Sequence, residues 1–102
     1  MTITVERSVH APMPDGTRLA ADVYRPARAS GCPTVVLRTP YDRGLASAYG
    51  QQVNAIRLAE AGYAVVVQDV RGRFDSEGDL YPFHHEGEDG FETVEWAAAQ
   101  PW

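Results

Sequence analysis

The chain's 102 residues suffice for one small domain but fall short of a whole α/β enzyme, whose catalytic domains commonly need about 200 residues or more. Hydrophobic residues at 44% and aromatics at 10% allow a core and exclude global disorder. The net charge is −5, and the nine cations, all arginine, are scattered from Arg7 to Arg73 among fourteen acids; no basic face exists to neutralise phosphates, so nucleic acid is not an expected partner.

Cys32 is the single cysteine, which excludes an internal disulfide and suits a reducing compartment. The opening Met-Thr-Ile-Thr-Val-Glu-Arg lacks the basic-then-apolar pattern of a signal peptide. The longest aliphatic run, Ala64–Val67, is too short to span a bilayer. The expectation is a soluble, cytoplasmic chain with no membrane partner.

Along the chain, Ile3, Val5 and Val9 alternate with polar neighbours and predict a half-buried strand. Met13-Pro-Asp-Gly16 carries turn chemistry. Leu19, Ala21 and Val23 alternate again, opposite Arg18, Asp22 and Tyr24, so the two strands form an antiparallel hairpin. Pro26 to Pro33 reads as a loop. Thr34-Val-Val-Leu37 is then a continuous apolar run, the pattern of a strand covered on both faces in a parallel sheet. Leu45, Tyr49, Val53, Ile56 and Ala59 fall at helical spacing on one face, with Gly62 placed to end that helix in the left-handed region. Tyr63–Gln68 is a second apolar strand, completing a βαβ unit with a right-handed crossover. A last helix is expected from about His85–Gly87 to Gln100. Its acidic first turns suit the helix dipole, Phe91, Val94 and Ala98 form its expected buried stripe, and Pro101 stops it. No repeat, low-complexity tract or second domain is visible.

Serine hydrolysis needs a nucleophile, a base, an orienting acid and donors for the oxyanion. In an α/β-hydrolase the serine sits in Gly-x-Ser-x-Gly at a strand-to-helix turn. Only Ser76 has a glycine two places on, and Phe74 stands where the first glycine is required. Ser76 also lies well past the strand end, so a turn or capping role outweighs a nucleophilic one; Ser8, Ser30 and Ser47 fit less well still. Asp69 and Arg71 lie just beyond the carboxyl end of a parallel strand, where open sheets place ligand sites. Asp69 could be read as a triad acid, but the chain order Ser, acid, His argues instead for a structural Asp69–Arg71 pair bracing the loop. His84-His85-Glu86 lacks metal-ligand spacing, because adjacent histidines diverge in a strand and lie about 100° apart on a helix. Gly72 and Gly78 fit no phosphate-binding loop. Neither metal nor cofactor is implied.

The strand Tyr63–Gln68, the Asp69-x-Arg-Gly72 loop and Ser76-Glu-Gly78, together with Thr39-Pro-Tyr-Asp-Arg43 upstream, resemble an α/β-hydrolase of the cocaine esterase / Xaa-Pro dipeptidyl-peptidase-like (CocE/NonD) serine hydrolase family. The resemblance covers essentially the whole chain and implies an α/β fold class. Residues 1–102 would form the N-terminal part of a single catalytic domain, an antiparallel hairpin followed by β-α-β and a second helix, with the sheet incomplete and the cap and C-terminal jelly-roll domains absent. The fifth strand and the nucleophile would then follow Trp102. It further implies that Tyr41 points its phenol O–H at the developing oxyanion, where a lipase would use a Gly-rich segment. The alternative for Tyr41 is packing at a strand end. Asp42 could line the same mouth, as acids that bind an α-amino group do in amino-acid ester hydrolases; a solvated loop position or an ion pair with Arg43 is the stronger reading.

Two functions from different classes follow. One is an N-terminal fragment of a serine hydrolase acting on acyl esters or amides, inactive alone, whose complete enzyme takes a small-molecule ester or amide substrate. The other is a non-catalytic truncated module; a prolyl oligopeptidase-like peptidase is a third reading that fits Thr-Pro-Tyr-Asp less well. Because the family's sheet puts the third strand between the fourth and fifth, Thr34–Arg38 should lie at an open edge, with self-association through that edge as a consequence.

Overall fold

The computed structural model describes residues 2–28, 30–39, 43, 54–78 and 86–102. Strand β1 (Ile3–Pro12) and strand β2 (Arg18–Pro26) pair antiparallel around the expected turn, which is closed by Gly16 N–H donating to the Met13 carbonyl at 2.9 Å. Strand β3 (Thr34–Thr39), helix α1 (Ala55–Glu60), strand β4 (Ala64–Asp69) and helix α2 (Glu86–Ala98) follow. The four strands lie in the order β1-β2-β4-β3, with β2 antiparallel and β3 parallel to β4. The expected hairpin, βαβ unit and edge position of the third strand are all present.

Parity along the strands sorts the core into two layers, because successive side chains point to opposite faces. Tyr24, Val65, Val67 and the half-buried Leu37 share the face covered by Ala55 and Ala59 of α1. Ala21, Val23, Val66 and the half-buried Val36 share the other, covered by Ala97 and Trp96 of α2. At the turn end Ala11, Met13 and Leu19 extend the core against Trp96.

Helix α1 has a defined start and stop. The Asn54 side chain accepts from the Arg57 amide at 3.1 Å, and Gly62, at φ +104°, closes a Schellman motif in which the Gly62 and Tyr63 amides reach the Ala59 and Leu58 carbonyls. The residues Leu45, Tyr49 and Val53 of the expected helical face lie outside the described residues. Ile56 does not belong to that face: it is 52% exposed, and Ala55 and Ala59 with the half-buried Leu58 make the contact.

Three further expectations are corrected. β2 is not half-exposed, since Leu19 through Tyr24 are all buried; a strand flanked by two others and covered on both faces has no solvent side. β3 is covered on both faces only in part: Leu37 packs on the α1 layer and Val36 on the α2 layer, but Val35 to Arg38 are half-buried at the sheet's edge. Helix α2 is rotated from the expected stripe. Asp89, Thr93 and Ala97 face inward, while Phe91 is 61% and Val94 53% exposed and Ala98 is exposed too. Polar ties set that rotation: Asp89 holds Arg71, and the Thr93 hydroxyl donates to Gln68 Oε1 at 2.9 Å. The displaced apolar face, Val94 and Ala98 with Ala97, lines a groove along β3 with Cys32, Thr34 and Val36. Among the described residues no helix is long and apolar enough to cross a membrane.

Candidate active-site scaffold

Asp69 ends β4, and its parity with Val65 and Val67 directs its side chain to the α1 face. Asp22 of β2 shares that face, since it registers with Val67. Both carboxylates are buried, Asp22 at 2% and Asp69 at 0% exposure, and a buried charge persists only when paired and hydrogen-bonded.

Arg43 supplies the pairing. Its backbone N–H donates to Asp69 Oδ1 at 2.8 Å, Nε to Asp22 Oδ1 at 3.0 Å and Nη2 to Ser8 Oγ at 2.8 Å. Its Nη1 contacts the second oxygen of Asp69 and lies 3.0 Å from Asp75 Oδ2. Burial works against the Arg43 charge, but the hydrogen bonds of Asp22 and Asp69 outweigh it and raise its pKa above the ordinary arginine range. The guanidinium is the one side chain whose planar fork serves this many acceptors at once.

The bulge in β1 belongs to the same construction. Between Glu6 and Val9 the register shifts, so that two β1 residues stand against Asp22, and Ser8 takes φ +55°. This aims the Ser8 amide at Asp22 Oδ1 (3.0 Å) and brings Arg7 Nη1 to Asp22 Oδ2 (3.1 Å). Asp22 therefore takes donors from β1 and from the far side of the sheet together.

The Asp69-x-Arg71-Gly72 loop is wired differently from the expectation. Asp69 and Arg71 do not pair; Asp69 is taken by Arg43, and Arg71 turns to the other side. There it donates through Nε and Nη2 to both oxygens of Asp89 at 2.8 and 2.9 Å, and through Nη1 to Asp15 at 2.8 Å. The reason is geometric: Asp69 is still in the strand, whereas the Val70–Arg73 turn carries Arg71 toward α2 and the hairpin turn. Asp89 above all raises the Arg71 pKa, and the Thr17 amide followed by Arg71 lowers that of Asp15 to about 2. Gly78 makes room for this arginine: it sits at φ +89°, and a Cβ there would meet Arg71 Cγ at 2.8 Å.

Ser76 is buried and bridges two strands. Its Oγ accepts from the Ala20 amide at 2.8 Å and donates to the Asp69 carbonyl at 2.6 Å, stitching β2 to the end of β4. Tyr41, Asp42, His84 and His85 lie outside the described residues. The residues flanking Pro40–Asp42 are described, and both are tied to β4. The Thr39 carbonyl accepts from the Val70 amide at 3.1 Å, and Arg43 binds Asp69. Sequence reasoning singled out neither Asp22 nor Ser8; the one signal was an acid amid the apolar residues of a hairpin strand.

A parallel βαβ unit extended by an antiparallel hairpin, with its polar cluster at the carboxyl ends of β3 and β4, defines a portion of the α/β-hydrolase fold. The profile of the X-Pro dipeptidyl-peptidase (S15 family) matches residues 15–102, and the chain belongs to that family. Cocaine esterase of Rhodococcus sp. (strain MB1 Bresler) is 40% identical over 100 residues, which cover 97% of this chain and 17% of that protein. A CocE/NonD family hydrolase from Staphylococcus aureus superposes with a TM-score of 0.82 at 25% identity, over 100% of this chain and 21% of its own. An α-amino acid ester hydrolase superposes with a TM-score of 0.74 at 27% identity, over 92% and 18%. The chain thus spans about one fifth of the length of these relatives.

Proposed function

We propose that this chain is the part of a serine hydrolase of acyl esters or amides that supplies an oxyanion donor, Tyr41, and no nucleophile. The observation that carries the reading is the fixing of both flanks of residues 40–42, Thr39 and Arg43, at the carboxyl end of β4. That end of a parallel sheet is where this class of fold builds its ligand sites. Membership in the X-Pro dipeptidyl-peptidase family supports hydrolysis of an amide, and the likeness to cocaine esterase and the α-amino acid ester hydrolase supports hydrolysis of an ester.

In an acyl-enzyme mechanism a serine attacks the substrate carbonyl and negative charge gathers on its oxygen. A neutral phenol answers that charge with one hydrogen bond and brings no formal charge of its own. Such a donor is worth about 3 kcal/mol in the transition state. In a full-length relative carrying this segment, Tyr41→Phe is expected to lower kcat by about 10²–10³-fold with little change in KM, because the bond strengthens only as the charge develops. A Tyr41→Phe enzyme with wild-type kcat would return Tyr41 to a packing role.

A further inference from the structure

We propose that β3 is a two-fold seam, at which two copies of this chain pair their β3 strands antiparallel about an axis at Val36. The inner side of the strand fixes which backbone groups face outward. Ala64 N–H donates to the Pro33 carbonyl at 2.9 Å, and Val70 N–H to that of Thr39 at 3.1 Å. In a parallel ladder the N–H and C=O of one residue point the same way and the direction alternates along the strand, so Val35 and Leu37 bond toward β4. The N–H and C=O of Thr34 and Val36 therefore point away from β4, where no strand lies among the described residues.

A second β3 answers these groups with its own. When Val36 faces Val36 of the second copy, the two residues exchange both N–H···O bonds, as the bonded pair of an antiparallel ladder does. The same register sets Thr34 opposite Arg38 of the second copy, so the one charge in the strand meets no like charge across the seam.

The side chains fit the same arrangement. Val36 lies on the α2 face, beside a groove of about 520 Å³ lined by Cys32, Thr34, Val36, Val94, Ala97 and Ala98. Asp89 and Thr93 hold α2 so that Val94 stays 53% exposed on the rim of that groove. Residues facing each other in an antiparallel pair share one face of the sheet, so the two grooves meet over the Val36 pair. Val94 and Ala98 of both copies then close over the seam and leave water together. A foreign strand would satisfy the same backbone groups, but a second copy also brings a helix with a matching apolar rim to the same face.

The test uses the 102-residue chain and reads the dimer by sedimentation across a range of concentrations. Each copy carries a net charge of −5, so raising the salt from about 20 to 500 mM should tighten the dimer. Val36→Pro removes an outward N–H, a change that an edge strand tolerates, and Val94→Glu sets a like charge on each side of the seam at an exposed position. Each should weaken the dimer tenfold or more while the monomer keeps its circular dichroism and thermal midpoint. If Val36→Pro does not fold, Val94→Glu decides. Cross-linking with a short bismaleimide reads the register. In a Cys32→Ala background Val36→Cys should be bridged between copies, because bonded antiparallel residues lie about 5.5 Å apart at Cα. In the unaltered chain the two Cys32 residues would lie about 26 Å apart along the strands and should not be bridged. A monomer at every concentration, a dimer indifferent to the substitutions, or bridging through Cys32 and not through Val36→Cys would overturn the proposal.

Discussion

Asp15 sits in the turn between β1 and β2 with its carboxylate held by the Thr17 amide at 3.0 Å and by Arg71 at 2.8 Å. These bonds lower its pKa from 3.8 to about 2, and the Arg18 side chain moves Glu77 in the same direction. A carboxyl group whose folded pKa is depressed contributes stability that is present above its unfolded pKa and lost as pH falls through the folded value. Stability should therefore decline between about pH 4, where an unfolded aspartate titrates, and about pH 2. The raised arginine pKa values act only far above this range. Urea unfolding of the chain and its Asp15→Asn variant from pH 6 to 2 measures the effect, and the variant should show the shallower acid limb. Identical pH profiles for the two proteins would remove Asp15 from the account. The motif residues follow the same logic of local wiring: Ser76 is needed for the two backbone groups it joins, and Gly78 for the space that Arg71 fills.

At the scale of elements, the parts set by local rules were legible in the chain. The Met13–Gly16 turn, the Gly62 stop and the apolar run of β4 each state their conformation in a few adjacent residues. What could not be read locally was which polar group meets which. Asp69 finds Arg43 twenty-six residues away rather than Arg71, and Asp89 and Thr93 turn α2 away from its own apolar stripe. Hydrophobic periodicity ranks faces by apolarity, so it misplaces a helix whose orientation is fixed by buried hydrogen bonds. The candidate site was legible as a motif for the same reason and illegible as a network. At the β3 edge the consequence is physical. Among the described residues no strand pairs with its outer side, and Val35–Leu37 carry no charge, proline or bulge that blunts an edge. Beside it run the exposed Val94 and Ala98. We propose that the 102-residue chain by itself associates with a second copy through β3. Analytical ultracentrifugation should find concentration-dependent dimers or larger species, with weak amide protection of Val35–Leu37 at low concentration. A monodisperse monomer with strong protection across those residues would contradict it.

On the scale of the whole molecule, four strands in the order β1-β2-β4-β3 and two covering helices make a scaffold with its charged cluster at one end of the parallel pair. The membership in the X-Pro dipeptidyl-peptidase family gives that end its meaning, and the chain's share of about one fifth of its relatives gives its limit. The function proposed above gives this segment the oxyanion side of a serine hydrolase and no nucleophile, with the Ser76 hydroxyl bonded to two backbone groups. The direct measurement is reaction of the purified 102-residue chain with a fluorophosphonate probe and with p-nitrophenyl esters, alongside its Ser76→Ala variant. No covalent labelling and no saturable turnover are expected for either protein. Labelling and turnover that Ser76→Ala abolishes would contradict the proposed function.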